Sequence, residues 1–300
     1  MTQNVPSSLH PAVAAWPEAI RLLRTKPSLF LPLGVAASVK LSLLGLALLA
    51  PFEPFSRILA PIVRYFWGEI FLHYPYHLGL ASRLFRRTDM WLPIFLEGFL
   101  IGVTAYGCRQ LLSGHPFKPR QAFSETFRRY PATAAITLVS AVALVLCVQL
   151  ALVPMRMGLS RLPSLWTQSP LTVSLLTALI TVTLAAALEA LFIFAVPACV
   201  LENRFWIKAV WRSFQIGGRS YGPIFLTLWV VSLCYLPVIL LRHGSMGLST
   251  GPWPEAVLLV YVIRILASWG LGALFAVWGT TYLIRTAGNL TPQAEKGVSR

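Results

Sequence analysis

Carboxylates are scarce in this chain. Ten aspartates and glutamates serve 300 residues, and charged residues of both signs together make up 12%. A soluble domain carries about 25% charged and roughly 45–50% apolar residues, whereas 56% of this chain is apolar. Ten acidic residues cannot cover the two soluble domains that such a length would otherwise allow. Paired carboxylates for acid–base work are missing, and no Ser–His–acid arrangement, Walker loop or Rossmann fingerprint occurs. No enzymatic activity, cofactor or bound metal is expected. The four cysteines, Cys108, Cys147, Cys199 and Cys234, lie in or beside different apolar stretches without metal-type spacing, and read as structural thiols. The first residues also lack a short basic run leading directly into an apolar one. The first span is therefore expected to serve as the insertion signal.

What the chain does contain is long apolar runs. About 20 consecutive apolar residues match the hydrocarbon thickness of a bilayer. Six stretches qualify: Ser28–Ala50, Trp91–Leu112, Pro131–Met155, Leu171–Val200, Tyr221–Leu241 and Pro254–Ile284. The expectation is an all-α, polytopic membrane protein with six transmembrane helices in one domain spanning 1–300, its tails at 1–9 and 287–300 disordered. Lys and Arg then divide unequally between the two sides, fifteen against eight. The richer side faces the cytoplasm, which puts both termini there. Residues 51–87 form a long outer segment. Because it carries Arg64, Glu69, His73 and His77, which are costly at mid-bilayer, it reads as an interfacial or re-entrant helix. The same Glu69, His73 and His77 recur every four residues, as metal ligands on a helix would. Pro75 and the neighbouring tyrosines make an aromatic girdle the better reading.

One plan appears three times, in AWPEAIRLLRTKPSLFLPL, PRQAFSETFRRYPATAAITL and WIKAVWRSFQIGGRSYGPIFLTL. Each is a short amphipathic helix with a basic end, then Pro or Gly-Gly, then a span, so the chain divides into three two-span units. Helical spacing gives the first an apolar face of Trp16, Ile20 and Leu23 beside Arg21 and Arg24. The second has Phe123, Phe127 and Tyr130, with Arg120 and Arg128 on its polar side. In the third, Arg204, Lys208 and Arg212 form a basic stripe, and Trp206, Val210 and Phe214 fall on another face. A helix of this kind lies flat at a headgroup boundary, where each basic residue gains about 1 kcal/mol from anionic lipid. A nucleic-acid surface needs its cations clustered on one solvated face. Here they are spread over three segments, each joined to a span. Anionic lipid headgroups on the cytoplasmic side are the expected partner, nucleic acid is not, and a membrane-protein partner stays open without a named identity.

The stretch FAVPACVLENRFWIKAVWRSFQIGGRSYGPIFLTLWVV, residues 194–231, carries Pro197, Glu202 and an Ala-x-x-x-Ser helix (Ala209, Ser213) between two spans. It resembles the bacterial six-helix family of the glycerophosphoryl diester phosphodiesterase membrane domain and its uncharacterised stand-alone relatives. SGHPFKPRQAFSETFRRYPATA and LLRTKPSLFLPL are similar to that family's second cytoplasmic segment and to the start of its first span. The resemblance implies a fold and a bacterial inner-membrane location, and little chemistry. In fused members the phosphodiesterase activity belongs to a separate soluble domain, and residues 285–300 are not expected to hold one. Mitochondrial carriers share the size, span number and basicity. Their Pro-x-acid-x-x-base signature fails here, since PFEPFSR places Ser56 where the base belongs.

Ionisable groups inside a bilayer are costly and face partners or water. Four fall within spans: Lys40, Glu97, Glu189 and Arg264. Depth counted from the outer ends pairs Glu97 with Arg264 and Lys40 with Glu189. The favoured function is a non-catalytic inner-membrane protein that binds lipid or assists a membrane process. The alternative is a small transporter using those four residues.

Overall fold

The computed structural model describes residues 10–159, 170–234, 236–237 and 255–288. Backbone in hydrocarbon must satisfy its own hydrogen bonds, and a helix does this within one segment. The described residues are accordingly helical, with no strand among them. Four helices are long and apolar enough to cross a membrane: Pro27–Leu49, Tyr130–Ala151, Leu175–Leu201 and Ala256–Thr286.

The chain opens with α1 (Pro11–Thr25), and a 3₁₀ turn then leads into α2 (Leu31–Leu49). Next comes α3 (Ser56–Trp67), followed by a 3₁₀ turn at Glu69–Leu72. Here the outer segment differs from expectation. Helix α4 (Tyr76–Leu92), a π-helical turn (Pro93–Glu97) and α5 (Gly98–Leu112) follow without a break. The second apolar stretch is thus the lower part of a helix that starts at Tyr76, about 55 Å long at 1.5 Å per residue. Hydropathy marks where apolar residues begin, not where a helix does. The upper part packs beside the end of α2, with Leu80 and Leu84 against Ala47 and Ala50. Glu69, His73 and His77 share no helix face, because Glu69 lies in the 3₁₀ turn, paired to Arg64 at 3.0 Å, and His73 is extended.

Helices α6 (Pro119–Phe127) and α7 (Tyr130–Leu159) follow. Then come α8 (Pro170–Phe192) and α9 (Ala195–Leu201), α10 (Trp206–Arg219), α11 (Tyr221–Leu233) and α12 (Ala256–Gly288). The fifth apolar stretch is represented by the 13 residues of α11; most of its remainder lies outside the described residues. Of the expected disordered tails, 1–9 and 289–300 lie outside them as well, and Ala287 and Gly288 close α12. The interruption between α8 and α9 has a local cause: Pro197 has no N–H and its ring displaces the carbonyl of Ile193.

Close approach, rather than greasy bulk, holds these helices together, as expected where lipid tails are as apolar as leucine. A Cβ on Gly98 would sit 2.3 Å from Thr137 Cγ2 of α7, and one on Gly217 would sit 2.6 Å from the Ala190 carbonyl of α8. The carbonyl of Ile94, in the π turn, accepts from Thr137 Oγ1 at 2.9 Å. At one end of the bundle α1 lies on the last turns of α12. Ala12, Ala15 and Ala19 are fully buried there, Trp16 stacks on Trp278 at 5.3 Å, and Trp278 Nε1 donates to the Ala12 carbonyl at 2.9 Å. Helices α6 and α10 dock at the same end.

Candidate functional site

Two polar regions stand out: a pair inside the bundle and a ring of arginines at the end that holds α1, α6 and α10. Inside the bundle, Lys40 Nζ of α2 meets Glu97 Oε1 at 2.5 Å, with the lysine side chain 9% and the glutamate 27% exposed. Lys40 therefore pairs with Glu97, not with Glu189, and the expected assignment is corrected. The depth count took Trp91 as the outer end of the second span, but the helix runs on from Tyr76. Glu97 consequently reaches the level of Lys40, midway down α2. The π turn ending at Glu97 shifts the helix face at that point, a displacement that 3.6-residue spacing cannot foresee. Glu189 lies on the stripe of α8 that also carries the buried Ala178, Val182, Ala186 and Ala190. Arg264 is half-buried on α12.

At the other region, α9 ends with its last carbonyls turned toward arginines. Arg109 Nη1 donates to the Leu201 carbonyl and Arg129 Nη1 to that of Cys199, both at 3.1 Å. Cations belong at this end of a helix, where the dipole is negative. Glu202, next in the chain, accepts from Arg204 Nε at 2.5 Å and lies 3.6 Å from Arg212 Nε. Asn203 then adopts a left-handed backbone, φ 56°, so that the chain reverses into α10.

This arrangement sorts the expected headgroup contacts. Arg21, Arg24, Arg120 and Lys208 are exposed, and Arg128 is exposed beside Glu125 at 3.6 Å. Arg204 and Arg212 are held by Glu202, and Arg212 is drawn inward, so the stripe Arg204–Lys208–Arg212 does not face one way. The apolar faces change too. In α10, Trp206 and Val210 pack against the core and Phe214 meets Phe192 at 5.1 Å. The apolar side chains directed outward are Ile207 and Trp211, the latter 64% exposed. In α1, Leu23 is buried and Trp16 serves the stack on Trp278. In α6, Phe123 packs on Phe99 at 5.7 Å, while Phe127 stays 68% exposed and stacks on Tyr130 at 6.2 Å.

The buried faces instead belong to small residues. Ala19, Ala122 and Ala209 have no exposed surface, nor do Thr126 and Ser213. Ser213 Oγ donates to the Leu191 carbonyl at the end of α8, and Gly217 lies against the same stretch. Hollows open between these helices. One of about 460 Å³ is bordered by Arg109, His115 and Lys118, and one of about 210 Å³ by Arg212, Arg219 and Tyr282. Another, of about 660 Å³, lies between the α6–α7 and α9–α10 turns. Among the described residues no three His, Cys, Asp or Glu side chains converge as a metal site. The chain matches no family model, no curated protein and no solved structure.

Proposed function

We propose that the chain is a six-span protein of a bacterial inner membrane, with both termini cytoplasmic, that binds phospholipid without catalysing a reaction. The observation that carries this reading is the pairing of outward apolar and basic side chains at one end of the bundle. Phe127 lies beside Arg128, and Ile207 and Trp211 lie beside Lys208, all exposed. In water such aromatic exposure is unfavourable. At a headgroup boundary both kinds of side chain gain.

The count of six adds two helices to the four that are long and apolar enough. The α4–α5 run is long enough to traverse hydrocarbon, and α11 is a shorter apolar helix without a charged residue. The three surface helices, each docked by a buried alanine, support the three two-span units. The resemblance of residues 194–231 to the membrane domain named above belongs to the same proposal. A second reading, a small transporter, draws on Glu189: the lysine assigned to it is committed to Glu97, which leaves a carboxyl on an inward stripe of α8.

Native mass spectrometry of the protein released from lipid nanodiscs tests the proposal. Stoichiometric phospholipid on the released protein is the expected result. A small polar solute in its place would favour transport, and neither would remove the lipid reading.

A further inference from the structure

The 660 Å³ hollow has a charged rim and an apolar floor. Three guanidiniums border it, those of Arg128, Arg129 and Arg204, against the single carboxylate of Glu125. Two of the three are oriented by the protein itself, since Arg129 is held on the Cys199 carbonyl and Arg204 on Glu202. Glu202, which holds Arg204, adds a second carboxylate, so the mouth carries an excess of one positive charge and calls for a singly charged anion. Arginine's planar fork suits phosphate oxygens in particular. Helix α10 also starts at this hollow, at Trp206, and its cap residue Phe205 has no side-chain acceptor for the first-turn N–H groups. Its free first-turn N–H groups and positive dipole end add to the same field.

The floor is formed by Pro131, Ala132 and Ala135, at the start of α7. Positions 131, 135, 138, 142 and 145 fall on one face of that helix. Leu138, Val142 and Val145 on this face are 43%, 47% and 51% exposed. An apolar track thus leaves the arginine-lined hollow and runs along a membrane-length helix. A free phosphate ion needs only the rim, whereas an anionic phospholipid uses both rim and track.

We propose that this hollow binds the phosphate of an anionic phospholipid, with an acyl chain laid along Leu138, Val142 and Val145 of α7. The assignment rests on the lipid-binding reading above and gives it a place. Arg129 and Arg204 also support the fold, so the test turns on Arg128 and on the floor. Wild type, Arg128→Gln, Ala135→Phe and the control Arg57→Gln, an exposed arginine of α3, are reconstituted in phosphatidylcholine nanodiscs containing a minority of phosphatidylglycerol. Bound lipid is then read by native mass spectrometry, and folding by size exclusion and circular dichroism.

Wild type and Arg57→Gln should each retain one phosphatidylglycerol. Arg128→Gln should weaken retention roughly fivefold, the effect of about 1 kcal/mol per basic residue. Ala135→Phe, which fills the floor and leaves every arginine, should abolish it. Equal retention by all four folded proteins would overturn this site and leave lipid binding elsewhere. Phosphatidylcholine alone on wild type would overturn the anionic site, and no phospholipid of either kind would remove the lipid reading itself. Displacement of the lipid by millimolar inorganic phosphate, with phosphate then bound in its place, would overturn the lipid as the source of the anion.

Discussion

Lys40 and Glu97 show what one charge means inside this bundle. Each is tolerable because the other is there, and removing one strands its partner in a medium that solvates ions poorly. Breaking a fully buried pair costs about 3–5 kcal/mol. Because Glu97 is 27% exposed, Lys40→Met is expected to cost less, about 2–3 kcal/mol. The double variant Lys40→Met/Glu97→Gln should recover most of that loss. Chemical unfolding of the reconstituted proteins reads both values, and a double variant no more stable than the single one would contradict the pairing. The sequence supplied both residues and the reason they need partners. The match between them depended on a π turn and a helix start that residue spacing does not encode.

His77 is a second residue with a measurable consequence. The residue is 8% exposed, its ring against Phe52 at 6.3 Å and Tyr74 at 5.9 Å, and burial lowers its pKa below the ordinary histidine value. The folded state therefore prefers the neutral ring. The stability this contributes is present above the unfolded pKa of about 6.5 and is lost as the pH falls through that value toward the lowered folded one. Protection factors around residues 73–80, with the intrinsic pH dependence of amide exchange divided out, should fall as the pH drops from about 7 to about 5, and His77→Gln should flatten that dependence. An unchanged profile in the variant would assign the effect elsewhere.

At the scale of the helix, small residues decide the contacts. In Trp206–Arg219 the amphipathic pattern was legible, as were the basic residues and the alanine shared with the two other surface helices. Which face docks was not. Burial in water rewards large apolar side chains, but between helices in lipid that reward is absent and close approach takes its place. Helical spacing puts Trp206, Val210 and Phe214 on one face, whereas Ala209, Ser213 and Gly217 make the closest contact with the bundle. Gly217 and Gly218 separate the two ideas. Gly217→Ala puts a methyl against the Ala190 carbonyl and should destabilise by about 1–3 kcal/mol, the usual effect of overpacking. Gly218→Ala meets nothing within 4 Å and should be neutral, or stabilising by up to about 1 kcal/mol from helix propensity. Thermal unfolding in one detergent compares them directly, and equal shifts would mean that the docking face is misidentified.

For the whole molecule, composition was the strongest guide. A chain with 56% apolar and 12% charged residues leaves few options, and the all-helical architecture follows from the bilayer's lack of hydrogen-bonding partners. The boundaries were less legible. Trp91–Leu112 passes a hydropathy window as the equal of the other stretches, yet it is the lower part of a longer helix that starts at Tyr76. Of the hollow between the α6–α7 and α9–α10 turns, the sequence offered the basic residues and the prolines. Its location required α9's C-terminus to hold Arg129 from a distant segment beside Arg204, a tertiary event with no local signature.

The central claim is that the end bearing α1, α6 and α10 lies at the cytoplasmic headgroups, with the end bearing α3 on the opposite side. Single cysteines at Ile58 and Lys208, both exposed, in a chain whose four native cysteines are replaced, test it with a membrane-impermeant maleimide on intact cells. Position 58 should be labelled from outside, and position 208 only after the inner membrane is permeabilised. Labelling of position 208 in intact cells, with position 58 protected, would contradict the claim.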